Sequence, residues 1–254
     1  MSYQDRVDYA RLSERLAKSL RLESTPVAVN FSARIPDGVD KLDEVSMTCT
    51  MLDIARFQDK VFYTEADNHQ KCPNGAYYMG LQEPFPGLTN GEANAGEGGS
   101  CLVANPAAFL RLLPHYEIIP QHTIGYISYA PLPKTPFGDK TGGTVVVFFL
   151  TPQQSMFLQR GVNYKTGVPV DSLTGPSTCS TVMAAPFLNG KPYASQSCFG
   201  FHLFTQVKPE QMVMGVPLEM LPEIADNIDE FQRQRPDLAE MLDRRADFKP
   251  LPEQ

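Results

Sequence analysis

TVVVFFL, residues 144–150, is the longest strongly apolar run in the chain. It is far too short to span a bilayer, which takes about 20 residues in a helix, and it reads instead as a buried strand. The segment before it, PKTPFGDKTGG (133–143), is rich in turn formers. After it, TPQQSMFLQRGV (151–162) reads as a helix with Pro152 near its start. Further upstream, TPVAVNF (25–31), KVFYTEA (60–66) and TIGYISYAPL (123–132) predict three more strands. CTMLDIARFQ (49–58) and NPAAFLRLL (105–113) predict helices, and the start of the chain suits an amphipathic helix through Val7, Leu12, Leu16 and Leu20. Downstream, SQSCFGFHLF (195–204) looks strand-like, while PLEMLPEIADNIDEFQ (217–232) and PDLAEMLDRR (236–245) look helical. Helices and strands interleave with no clean βαβ period. That pattern predicts an α+β (mixed α/β) fold: a single compact domain over residues 1–254, with a mixed sheet and flanking helices.

Composition narrows the function classes. An apolar fraction of 42% with 20% charged residues belongs to an ordinary globular protein rather than a disordered one. A net charge of −7 lacks the basic footprint that nucleic acid or an anionic membrane surface requires, so neither is an expected partner. Charges interrupt the first 20 residues where a signal peptide needs an apolar stretch, which predicts a cytoplasmic protein. In that reducing compartment five cysteines point to thiol or metal chemistry rather than to disulfides.

Three of the cysteines share one local setting. In HQKCPNGAYYMGL (69–81), Cys72 stands at an N-cap with Pro73 in the first helical position. Cys49 opens an apolar-periodic helix between Thr48 and Thr50, and Cys179 follows a Gly-Pro-Ser-Thr turn in GPSTCSTVMAA (175–185). Backbone N–H groups at such positions favour negative charge and would lower a thiol's pKa. Cys198 lies in SQSCFGFH, where Gly200 permits close approach of backbone. Four thiolates around a metal are anionic, so helix N-termini aimed at them would offset the charge, and that arrangement suits an iron–sulfur cluster. No C-x-x-C element is present, so a cluster would have to be assembled from distant segments. A free cysteine also packs readily as a small hydrophobe. Histidines His69, His115, His122 and His202 form no metal-binding spacing, though His69 and His202 lie near cysteines and could serve as ligands or proton donors. The stretch EPFPGLTNGEANAGEGGS (83–100) matches no phosphate-binding spacing and reads as a loop, and its part from Gly87 to Gly99 is expected to be mobile or to act as a lid over the site rather than to form core.

Taken together, TPVAVNF, CTMLDIARF, KCPNGAYYMGL, VVVFFLTPQQSMFLQRGVNYKTG, STCSTVMAAPFLNGKPYASQSCFGFH and VMGVPLEML resemble the prokaryotic proteins grouped as domain of unknown function 169. The resemblance runs from about residue 8 to 232, leaving 233–254 as an expected C-terminal helical extension. It implies a bacterial or archaeal protein, in a family with many anaerobic members, where an oxygen-sensitive cofactor is at home. On the family's pattern Cys49, Cys72, Cys179 and Cys198 carry over and Cys101 does not. Where that pattern has an arginine-like residue after the last cysteine, this chain has Phe201 and His202, so no anion-binding role carries over. The leading expectation is one iron–sulfur cluster, of the [4Fe–4S] type, on Cys49, Cys72, Cys179 and Cys198. It would serve electron transfer or a reductive reaction, with a redox partner or small-molecule substrate and possible homo-oligomerisation. The alternative is a metal-free cysteine-dependent enzyme or small-molecule-binding protein acting through Cys72 or Cys179.

Overall fold

The computed structural model describes residues 7–96, 99–100, 102–137, 143–173 and 177–243. Seven strands form one mixed sheet: β1 (Val27–Ser32), β2 (Phe62–Thr64), β3 (Tyr126–Pro131), β4 (Thr144–Leu150), β5 (Asp171–Ser172), β6 (Tyr193–Ser195) and β7 (Met212–Pro217), in the order β2-β3-β1-β4-β7-β6-β5. Every neighbouring pair is antiparallel except β5 with β6. The described helices are α1 (Tyr9–Leu20), α2 (Thr48–Phe57), α3 (Pro73–Tyr78), α4 (Pro86–Thr89), α5 (Pro106–Leu112), α6 (Pro152–Asn163), α7 (Ala185–Asn189), α8 (Phe199–Phe204), α9 (Leu221–Gln234) and α10 (Pro236–Ala239). None of them is long and apolar enough to cross a membrane. The fold is therefore α+β.

TVVVFFL is the central strand β4, held between β1 and β7 and buried at all seven positions. Side chains alternate across a strand, so Val146, Phe148 and Leu150 face one layer, with Leu12, Leu16 and Leu20 of α1, Phe157 and Leu158 of α6, and Ile224 and Ile228 of α9. Val145, Val147 and Phe149 face the other, with Met51 and Leu52 of α2, Tyr78 of α3 and Phe201 of α8. The first layer consists of long amphipathic helices with ordinary ends. Asp8 accepts the Arg11 amide at the start of α1, and Thr151 and Gln154 form a reciprocal capping box around Pro152 at the start of α6.

The second layer is built of short pieces. A π turn, Ser180–Ala184, leads into α7 and lies against β7 at Gly215. A side chain at 215 would fall inside the Val182 carbonyl, so only glycine lets the two backbones meet there.

Two expectations are corrected. SQSCFGFHLF is not one strand: β6 stops at Ser195, Ser197 turns the chain at φ +83°, and Cys198 caps α8. Alternating apolar residues misled because α8 is a single short helix whose outward side is also apolar. The Gly-rich stretch, expected not to form core, does contribute to it. Pro86 starts α4, whose Leu88 is 1% exposed, and a 3₁₀ turn at Glu92–Asn94 follows. The expected C-terminal extension is helical where it is described, through the end of α9 and α10, and its end, 244–254, lies outside the described residues.

Gly215→Ala should lower the unfolding free energy by about 3 kcal/mol, because neither the strand nor the π turn can yield without opening the sheet. Gly200→Ala, where a new Cβ would meet only Phe204 at 3.9 Å, should cost almost nothing. Urea denaturation of the two variants checks this, and equal midpoints would show that the π turn does not press on β7.

Candidate functional site

Four short segments of the second layer bring Cys49, Cys72, Cys179 and Cys198 to one cavity of about 350 Å³. Cys49 is the second residue of α2, Cys72 caps α3, Cys179 immediately precedes the π turn and Cys198 caps α8. All four thiols are free. The helix-start setting extends to Cys198, which the sequence placed on a strand. Cys101 lies outside the described residues.

Each segment is held by packing rather than by bonds to sulfur. Gly75 explains the CPNG sequence: a Cβ there would lie 2.7 Å from the Cys72 Sγ and collide with Thr48, so glycine lets α3 sit on the start of α2. The chain leaving α8 is tied back to α2, where the Gln206 amide donates to Asp53 Oδ2 at 2.6 Å. Asp53 also pairs with Arg56 at 2.9 Å, and the Arg56 guanidinium lies 3.7 Å from the centre of the Phe149 ring. The walls between the cysteines are aromatic and amide: Tyr78 stacks on Tyr116 at 5.0 Å, and Asn74 Nδ2 donates to Asn94 Oδ1 at 2.8 Å. At the mouth, α8 exposes Phe199 and Leu203. No Asp, Glu, Lys, Arg or His is among the described residues that line the cavity.

That uncharged wall sets the electrostatics. Burial pushes the Cys49 thiol up to about 12, helped by charge on Cys72 and Cys198, and overrides the backbone N–H groups of Cys49 and Thr50. Cys179 is likewise held well above the usual range, first by burial and then by Cys72 and Cys198, against a 3.3 Å hydrogen bond with Ser177 Oγ. The expected lowering of thiol pKa at helix starts is thus reversed for these two. A dipole contribution of about 0.3–1 kcal/mol is smaller than the cost of charging a dry site. Tyr78 and Tyr116 are also raised, by burial first, with Cys179 and Cys198 among the further causes.

The histidines stand apart from the cavity. His69 is fully buried between two threonines, with Nδ1 3.0 Å from Thr48 Oγ1 and Nε2 2.9 Å from Thr64 Oγ1. Thr64 donates its own proton to the Ile127 carbonyl, so it accepts from Nε2–H, and Thr48 donates to Nδ1. A neutral ring with both nitrogens engaged is no ligand, and its work is to fix the turn beside Cys49. His202 is exposed on α8 and does not line the cavity. His115 is exposed, and His122 pairs with Glu83 at the surface. Among the described residues no group of three or more His, Cys, Asp or Glu is placed to hold a metal ion.

Sequence reasoning missed Tyr78, Tyr116, Asn74 and Asn94. A usable signal existed for one of them: Asn74 precedes a glycine in the first turn of α3, a poor helical sequence with no local reason to be there.

Comparisons with known proteins carry names but no chemistry. A family model, DUF169, described as uncharacterised ArCR, matches residues 15–227. An uncharacterised protein of Methanocaldococcus jannaschii is 27% identical over 227 residues, covering 87% of this chain and 94% of that protein. No solved structure matches.

Burial lowers the His69 pKa from 6.5 to about 4, so the unfolded chain binds its proton first as pH falls. Stability should be complete above pH 6.5 and decline by about 3 kcal/mol as pH drops toward 4. His69→Gln should flatten this slope. Unfolding measured between pH 4 and 7 for both proteins checks it, and parallel curves would assign the acid sensitivity elsewhere.

Proposed function

The chain belongs to the DUF169 family, and we propose that it holds one iron–sulfur cluster, of the [4Fe–4S] type, on Cys49, Cys72, Cys179 and Cys198. The observation that carries this is the meeting of four thiols from four separate segments at one uncharged cavity of about 350 Å³. Cys49 and Cys179 also belong to the apolar core and Cys198 packs against it, but half-buried Cys72 stands outside that core, so packing alone does not account for all four thiols at one cavity. A single ion would need all four sulfurs about 2.3 Å from one point, whereas a cuboidal core spreads its ligands over several ångströms. Four thiols lining one cavity from separate segments suit the second geometry.

When bound, such a group supplies one-electron chemistry. The chain's own contribution is to exclude water with Tyr78, Tyr116 and Phe201 and to keep other charges away from the thiols. A redox partner or small substrate would reach the site at the mouth beside α8. The metal-free alternative has less support. A nucleophilic thiol needs a base or a cation to ionise it, and the described wall offers neither.

Protein purified without oxygen and reconstituted with iron and sulfide should carry about four iron atoms per chain and absorb broadly in the visible. Serine variants of Cys49, Cys72, Cys179 and Cys198 should each lose most of that iron, since a hard oxygen replaces sulfur poorly. Cys101→Ser should retain it. A colourless, iron-free parent protein after reconstitution would reject the proposal in favour of thiol chemistry.

A further inference from the structure

Resting on the cluster reading, we propose that Tyr116 and Asn94 donate hydrogen bonds to the sulfur atoms of the group held by the four cysteines, and so raise its reduction potential. Both residues line the cysteine cavity, Tyr116 at 9% and Asn94 at 1% exposure. Among the described residues Tyr116 Oη and Asn94 Nδ2 have no hydrogen-bond partner. A buried donor left unpaired carries its full desolvation cost, so two on one wall mark a place where an acceptor belongs.

Neither donor is free to turn away. The Tyr116 ring is stacked on Tyr78 at 5.0 Å and flanked by Phe109 at 6.4 Å, while Asn94 Oδ1 is held by Asn74 Nδ2. Ser177 Oγ, also beside a thiol, is already engaged with Cys179. Asn74 Oδ1 is also unpartnered, but as an acceptor it has nothing to offer sulfur. Thiolate and sulfide sulfurs are anionic acceptors, and their negative charge grows when the group gains an electron. A donor aimed at them therefore stabilises the reduced form more than the oxidised one.

Iron-loaded wild type, Tyr116→Phe, Asn94→Ala and the control Tyr63→Phe are titrated by visible absorption and electron paramagnetic resonance. Tyr63 does not line the cavity. The two cavity variants should hold as much iron as wild type but titrate lower. At the wild-type midpoint the oxidised form should be in about tenfold excess, 59 mV for a one-electron couple. Tyr63→Phe should not move. In D₂O, pulsed measurements on the reduced wild type should show exchangeable deuterons coupled to the spin, one of which is lost in Tyr116→Phe and another in Asn94→Ala, a loss that a merely structural tyrosine would not produce. Should Asn94→Ala fail to fold, Tyr116→Phe keeps the ring stack and decides alone. Full iron with unchanged potential and unchanged deuteron coupling overturns this proposal and leaves the cluster standing. An iron-free wild type overturns both.

Discussion

Strand β4 has no solvent face. Each large apolar side chain removed from water is worth about 1.5–3 kcal/mol, so a strand reading Val-Val-Val-Phe-Phe-Leu is stable only if both sides of the sheet are covered. Strands buried this way are commoner in parallel sheets, where crossover helices supply the two layers. Here β4 has antiparallel neighbours on both sides, and the layers come from other parts of the chain. One is supplied by α1, α6 and α9, whose apolar stripes cover the sheet in long regular contacts.

Among the described residues the opposite layer has no long helix beyond α2 to do the same work, and its short elements close against the sheet by letting backbones approach. Gly215 admits the π turn to β7, and Gly75 admits α3 to the start of α2. Asp53 grips the chain that leaves α8. Short elements have many ends per unit area, and several of those ends bring a residue at or beside the cap to the same gap. Three of these ends carry Cys72, Cys179 and Cys198, and the start of α2 carries Cys49. A π turn inside this layer fits a wider pattern, since such bulges recur where function outweighs regular helix geometry.

Dryness then governs the chemistry. With no charged side chain among the described lining residues, the polar company of the thiols is one another, two tyrosines, hydroxyls and amides, set among apolar side chains such as Met47 and Phe201. Burial outweighs the backbone N–H groups at Cys49, and at His69 it overrides the nearby negative charge of Asp67. The ring stays neutral and acts as a fixed bridge between Thr48 and Thr64. A site of this kind favours groups that bring their own positive charge to sulfur.

Periodicity by itself determined the frame. TVVVFFL is a strand, the helices flanking it in sequence and at both chain ends are amphipathic, and Pro73 and Pro152 mark helix starts. These are local properties, fixed by side-chain spacing and backbone sterics within a few residues. The short strand β5, the break between β6 and α8 at Ser197, and the folding of α4 around Leu88 were not legible, because each depends on a partner distant in sequence. The same division runs through the site. Four cysteines could be picked out by their small polar neighbours, but their meeting depends on which backbones a glycine lets touch. The exclusion of His69 and His202, the reversal of thiol pKa and the unpaired hydroxyl and amide among the cavity's lining residues were decided only in three dimensions. Burial and hydrogen-bond satisfaction belong to the assembled surroundings of an atom, which no spacing along a chain encodes.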